Sequence, residues 1–225
     1  MIVAKRKPFN EIKAFASGSK KILILGCGTC VAVCLAGGEK EVAVLASQLK
    51  MALALEDEDV KIDELTIERQ CDQEFIEEVR DKVDVDAYDL ILSTACGAGV
   101  QLLSDVFDQK PVAPALNTTF IGVAEGPGIW TERCRSCSEC VLIETGGICP
   151  VTICSKGLVN GPCGGAHEGK CEVDPEKDCA WVLIYRRLDK LGRLEKMEQI
   201  LPPKKFSVQR HPAKIIHEAY RRRYE

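Results

Sequence analysis

Three cysteines stand at intervals of three in RCRSCSEC, residues Arg133 to Cys140, within a 225-residue chain that carries 13 cysteines in all. Thiols at such spacing can form disulfides, a zinc site or a wall of an iron–sulfur cluster. Structural zinc usually takes two separated C-x2-C or C-x2-H pairs, each reaching one tetrahedral ion from a tight turn. A cubane cluster is larger, and a C-x2-C-x2-C run wraps three of its corners while a distant cysteine, often followed by proline, closes the fourth. Cys134, Cys137 and Cys140 form such a run, and Cys149 is followed by Pro150. This pattern favours iron–sulfur over zinc. Cys154, Cys163, Cys171 and Cys179 follow at spacings too wide for either template, so one zinc ion in place of a cluster stays open, as does the question of which thiols share a metal. The eight thiols between Cys134 and Cys179 suffice for two four-cysteine sites.

The disulfide alternative depends on compartment. Met1 to Phe15 is basic and mixed, without an apolar core of signal-peptide length, and reads as a short amphipathic start. Ile22 to Ala36 is interrupted by Gly26, Gly28 and Thr29, so no stretch reaches the ~18–20 apolar residues of a membrane span. The expected location is cytoplasmic, with no membrane span. An odd cysteine count there points to metal or redox ligation rather than to a disulfide framework.

Five further cysteines precede the run, and the elements that would position them can be read from periodicity. From Lys21 to about Trp130, short apolar runs alternate with amphipathic ones, the pattern of strand–helix–strand units on a parallel sheet. KILILGC (Lys21 to Cys27), VKIDELTIE (Val60 to Glu68) and DLILSTAC (Asp89 to Cys96) are the expected strands. Cys30 to Leu55, Asp72 to Val83 with Asp72 as N-cap, and the segment GAGVQLLSDVF are the expected helices, with a solvated turn at Glu56 to Asp59. Cys27, Cys71 and Cys96 then fall at the C-terminal ends of three strands. Cys30 and Cys34 sit i, i+4 on one helix face, so all five can converge on the crevice where open parallel sheets bind ligands. A four-cysteine site there would leave one thiol to spare, and a free thiol is also an ordinary small buried residue.

Other chemistries fit less well. GCGTCV (Gly26 to Val31) begins G-x-G after a strand, but Val31 stands where a dinucleotide fingerprint needs Gly or Ala, and cysteines intrude where pyrophosphate would lie. His167 lies among the cysteines and reads as a loop or supporting residue rather than a ligand; His211 and His217 read as surface histidines. The sequence carries no P-loop, Ser-His-Asp order or paired-carboxylate motif, so nothing supports hydrolysis or phosphoryl transfer.

The fold class expected is α/β: a Rossmann-like parallel sheet with cysteines at its strand ends (residues 1–130), a cysteine-rich metal-cluster segment (131–180) and C-terminal helices (181–225). The last part holds 12 Lys or Arg against 5 Asp or Glu, about +7, whereas the chain as a whole is at −4. Without interleaved aromatics or a binding module this basic tail does not read as a nucleic-acid site. It reads as packing and solvation, with subunit docking as the alternative. Its expected helices are Ala180 to Ile200, apolar through Val182, Leu183, Tyr185, Leu188, Leu191 and Leu194, and Pro212 to Glu225.

Three strings are long and unusual: GCGTCVAVCLAGG at 26–38, RCRSCSECVLIETGGICPVTICSKGLVNGPCGG at 133–165 and GKCEVDPEKDCAWVLIYRRL at 169–188. They resemble the small subunit of two-subunit methylenetetrahydrofolate reductases of acetogens and related anaerobes, a family with a methylenetetrahydrofolate reductase C-terminal domain. The resemblance implies a non-catalytic redox subunit that takes electrons from ferredoxin or another low-potential donor. It would pass them to a flavin in a catalytic partner subunit that reduces methylenetetrahydrofolate to methyltetrahydrofolate. Two or three 4Fe-4S clusters are implied, or zinc in place of one. By motif, Cys27, Cys30 and Cys34 go with the first string, Cys134, Cys137, Cys140, Cys149, Cys154 and Cys163 with the second, and Cys171 and Cys179 with the third. Cys71 and Cys96 are added by the strand reading alone. The opposing reading is a zinc-stabilised scaffold that orients the flavoprotein without carrying electrons.

Overall fold

The computed structural model describes residues 1–56, 59–205 and 212–224. The chain divides into two compact units, residues 1–131 and 132–225. Among the described residues no helix is long and apolar enough to cross a membrane.

The first unit is α/β. Its strands β1 (Ile2–Arg6), β2 (Lys21–Cys27), β3 (Lys61–Ile67), β4 (Leu90–Ser93), β5 (Val112–Pro114), β6 (Leu116–Gly126) and β7 (Ile129–Cys134) form two sheets. One is parallel with order β3-β2-β4-β5, and the other has order β1-β6-β7 with β1 antiparallel to β6. Helices α1 (Phe9–Ala16), α2 (Cys30–Val33), α3 (Glu39–Ala54), α4 (Gln73–Lys82) and α5 (Gly97–Val106) complete it.

β2 explains why the parallel sheet is covered on both sides. Side chains alternate along a strand, so Ile22 and Ile24 meet Ile12 and Ala16 of α1 and Val42, Leu45 and Leu49 of α3. Leu23 and Leu25 meet Ile76 and Val79 of α4 and Leu103 of α5. All four β2 residues are fully buried, as a near-continuous apolar run in a doubly wound sheet requires. β2, the first parallel strand, lies between β3 and β4, so the strand order reverses beside it. Ligands of such sheets bind outside the carboxyl ends at that reversal.

The expected parallel strands all form, and Asp72 caps α4 by accepting from the Glu74 N–H at 3.3 Å. Three expectations need correction. Cys30 to Leu55 is not one helix: α2 ends after Val33, Leu35 turns left-handed at φ 55°, and α3 starts at Glu39. The turn persists because the amides of Ala36 and Gly37 both donate to the Val31 carbonyl, 2.9 and 3.1 Å away, capping the short helix. Second, the antiparallel sheet is an addition: Met1 to Phe15 supplies β1 and part of α1, and β1 pairs with β6 in registers such as Ile2 with Ile121. Third, the later helices are shorter than expected, as described below. Asp57 and Glu58 of the expected solvated turn lie outside the described residues.

Tyr88, buried just before β4, donates its hydroxyl to Asp63 at 2.9 Å, with the Lys21 ammonium over its ring. Burial, and then the Asp63 hydrogen bond, push the phenol up to about 12 from an ordinary 10. The folded pKa is the higher one, so this contribution is whole below the unfolded value and is lost as pH rises from about 10 towards 12. Urea unfolding of wild type and Tyr88→Phe across that range should show a steeper alkaline loss in the wild type; equal slopes would mean that the phenol is not linked to folding.

The second unit holds α6 (Pro150–Ile153) and α7 (Ala180–Lys190), then 3₁₀ turns and the terminal α8 (Arg221–Tyr224). Its core is Cys179, Trp181, Ile184 and Leu188, with Ile148, Cys154, Leu158 and Ala166 packed against it. The buried stripe of α7 thus runs through Ala180, Trp181, Ile184 and Leu188, while Tyr185 and Leu191 are about half exposed. Gly192, left-handed at φ 64°, ends the helix well before Ile200, the expected limit. Of the expected helix from Pro212, only a 3₁₀ turn at Glu218–Tyr220 and α8 form.

Candidate metal centre

At the carboxyl ends of the parallel strands the backbone is tied by buried polar side chains. Gln70 is fully buried; its amide donates to the Leu25 carbonyl at 2.8 Å, and its carbonyl accepts from the Ser93 hydroxyl at 2.6 Å. Ser93 in turn accepts from the Ala95 N–H at 3.2 Å, and the Thr94 hydroxyl donates to the Gly37 carbonyl at 2.8 Å. Gln70, Ser93 and Thr94 thus find partners, which a dry interior demands. The result joins the exits of β2, β3 and β4. Gly99 in the first turn of α5 comes so close to Gln70 that an added methyl would lie 2.9 Å from its Cβ.

Four cysteines border this brace. Cys27 ends β2, with its sulfur 3.8 Å from the Thr29 hydroxyl and 4.0 Å from the Glu68 carbonyl. Cys30 begins α2, Cys71 follows Gln70, and Cys96 is the N-cap residue of α5. Cys71 is exposed by surface area yet crowded on one side, and that crowding raises its thiol pKa. The charges of Cys96, Cys27 and Cys30 raise it further, so each of the three lies within electrostatic reach of Cys71.

Cys34, the fifth thiol of this unit, shares a buried cluster with Cys27, against which Cys96 packs. It is buried with Val3, Ala4 and Leu116, accepts from the Ala4 N–H at 3.5 Å and lies 3.7 and 3.5 Å from the Ala4 and Val31 carbonyls. Burial raises its pKa. The Cys34 amide donates to the Cys30 carbonyl at 3.2 Å, so the i, i+4 relation is kept, and the chain turns only after it, at Leu35.

In the second unit Cys134, Cys137, Cys140 and Cys149 line one cavity of about 290 Å³, together with Arg133, Arg135 and Lys204. The loop is held in an unusual backbone: Ser136 and Ser138 are left-handed, at φ 47° and 63°. Such residues cost roughly 1–3 kcal/mol each and persist where surroundings or function over-determine them. The Ser136 N–H donates to the Cys134 sulfur at 3.3 Å, and the Lys204 ammonium reaches the Cys137 sulfur at 3.1 Å and the Glu139 carbonyl. A backbone N–H and a cation on sulfur are the partners an anionic cluster takes.

The remaining thiols occupy a second neighbourhood. The Cys171 thiol lies 3.7 Å from the Ser155 hydroxyl, and the Cys163 thiol lies 3.6 Å from Glu172, which pairs with Lys156. Hydrogen bonding at the Val173 backbone, then at Ser155, lowers the Cys171 pKa. Cys154 packs against Cys179, the N-cap residue of α7. His167 is exposed, its backbone paired with Lys170, and His217 is exposed and accepts from the Ala219 N–H; His211 lies outside the described residues. Among the described residues, no group of three or more His, Cys, Asp or Glu side chains is arranged around a single ion. Gln70 and Lys204, both missed by motif reading, give no local signal: a lone Gln after a strand and one Lys in a basic tail look ordinary until their partners are known.

A doubly wound parallel sheet with thiols at its strand-order reversal, followed by a unit of cysteine-bearing loops, defines a cysteine-rich α/β protein. Residues 113–207 match the model of a family described as "Methylene-tetrahydrofolate reductase C terminal". That segment holds eight of the 13 cysteines, and over it the chain is similar to the C-terminal part of methylenetetrahydrofolate reductases. No curated protein matches the chain.

Proposed function

We propose that this chain is the iron–sulfur electron-transfer subunit of a cytoplasmic methylenetetrahydrofolate reductase. It passes electrons from ferredoxin or another low-potential donor to the flavin of a catalytic partner subunit, which reduces 5,10-methylenetetrahydrofolate to 5-methyltetrahydrofolate. The observation that carries this reading is the cavity at RCRSCSEC: all three cysteines of the run and Cys149 line it, within the segment matched to the reductase family. The space exceeds what one ion needs, and four thiols stand on its lining beside the single carboxylate of Glu139, which suits a cubane. A bound cluster supplies one-electron transfer.

This chain's residues would do the rest. Cys134, Cys137, Cys140 and Cys149 would hold one cluster, with Lys204 and the Ser136 amide balancing charge on its sulfurs. Cys154, Cys163, Cys171 and Cys179 form the set for a second cluster or for one zinc. Neither neighbourhood presents an acid–base pair beside an enclosed substrate cleft, which supports a relay in place of a catalyst.

Anaerobic purification of the full chain, with iron, acid-labile sulfide and zinc determined per chain and EPR recorded before and after reduction, tests the reading. Iron and sulfide in equal amounts, at about four per cluster, with a signal that appears on reduction, are expected. Stoichiometric zinc without sulfide would establish the non-redox scaffold instead.

A further inference from the structure

The N-terminal crevice lies outside the residues matched to the reductase family, yet it gathers four thiols that a local reading would have divided differently. We propose that Cys27, Cys30, Cys71 and Cys96 are the four ligands of an additional iron–sulfur cubane at the strand-order reversal of the parallel sheet, and that Cys34 is not among them. The proposal rests on the relay reading for the type of cluster, and on the first unit alone for its ligands.

Placement is the first argument. Cys71, Cys27 and Cys96 follow β3, β2 and β4, three neighbouring strands of one sheet, and Cys30 adds a fourth donor through the C-G-T-C turn. Adjacent strands lie ~4.8 Å apart, so the donors spread over roughly 10 Å of sheet edge. Four thiolates on one zinc, each ~2.3 Å from the metal, must close to within ~4 Å of one another. A cubane, with an iron and a sulfide at each edge, accepts the wider spread.

Rigidity is the second. Gln70, adjacent to Cys71, is locked to β2 and β4 by its bonds to Leu25 and Ser93, and Ser93 holds the Ala95 amide next to Cys96. The Cys27 N–H donates to the Gly37 carbonyl at 3.0 Å and the Gly28 N–H to Ile67 at 2.9 Å, which seats the C-G-T-C turn against the exit of β3. These bonds hold the ligands before metal arrives, which is what a precise site requires.

Electrostatics is the third. Four converging thiols must ionise on binding and release protons to solvent. The N-terminal end of the ten-residue α5, at Cys96, favours negative charge there. Cys34 shares its buried cluster with Cys27, but its sulfur already has backbone partners at Ala4 and Val31. Cys71 is exposed, which leaves the site an edge for electron entry.

Iron and sulfide content of the anaerobic full chain tests this in three variants: Cys71→Ser, Cys34→Ser and Cys137→Ala. Cys71→Ser is expected to lose about four iron and four sulfide per chain, with circular dichroism unchanged because Cys71 is exposed. Cys34→Ser is expected to keep the wild-type iron. Wild-type iron retained in Cys71→Ser, zinc lost in place of iron, or equal iron losses in the Cys71 and Cys34 variants would each overturn the proposal. The two readings fail separately. If Cys137→Ala costs no iron while Cys71→Ser removes all of it, the C-terminal cluster fails and this site stands. If only Cys137→Ala costs iron, the reverse holds.

Discussion

Cys149→Ala in the full chain is expected to cost one whole cluster, about four iron and four sulfide, although Cys149 is nine residues from the nearest member of the three-cysteine run. The cavity at the run is lined by Cys149 and not by Cys154, Cys163, Cys171 or Cys179. Three ligands leave one corner of a cubane without a thiolate, and such a site is expected to lose its cluster. The substitution is small: Cys149 is the N-cap residue of the four-residue α6, with Pro150 supplying its first helical position. Because the Cys149 side chain makes no capping hydrogen bond, folding should survive the change. Iron analysis with EPR of the oxidised protein reads the outcome. A variant that keeps full iron and the wild-type spectrum would show that the closing ligand lies elsewhere. The zinc-scaffold reading would instead predict loss of one zinc, with no spectral change.

The second large effect concerns the backbone beneath the N-terminal crevice. Gly37→Ala should destabilise the first unit by about 3 kcal/mol, as overpacking against rigid backbone typically does. At this chain length that lowers the melting temperature by roughly 6–12 °C. A methyl group at Gly37 would run into the Thr94 carbonyl oxygen and come within 3.1 Å of Leu116. Neither can yield cheaply, because the Thr94 amide is bonded to Leu25 at 2.9 Å and Leu116 is buried. The Gly37 carbonyl also accepts from the Cys27 amide and the Thr94 hydroxyl, so moving it would disturb the Cys27 end of the crevice. Gly126→Ala, where an added methyl meets nothing within 4 Å, is the matched control. Equal melting temperatures for the two variants would refute the close approach at Gly37.

Much of the parallel sheet was legible because its signals are local. KILILGC is a strand for its whole expected length, and Asp72 caps α4 as its type and place suggest, since capping and apolar runs involve residues a few positions apart. β1 was hidden for the opposite reason: IVAKR is short, and its partner on β6 lies more than a hundred residues away. The apolar face expected on α7 shifted by a residue or two because several of its positions are apolar, and only contact with Ile148, Cys154 and Leu158 selects among them.

The cysteines divide in the same way. Residue types and spacing alone determined the iron–sulfur reading of Cys134, Cys137 and Cys140, the abundance of thiols beyond one site, and the family to which residues 113–207 are matched. Which distant thiol stands near each group depends on tertiary structure. Spacing relates Cys34 only to Cys30; that Ala4 of a distant strand donates its N–H to the Cys34 sulfur is decided by the fold. Cys71 had only its place after a strand, and it is the buried Gln70 beside it, bonded to two other strands, that brings it to Cys27 and Cys96. Periodicity and spacing are short-range properties of a chain, whereas convergence at a sheet edge depends on strand order and on buried hydrogen bonds between residues far apart in sequence.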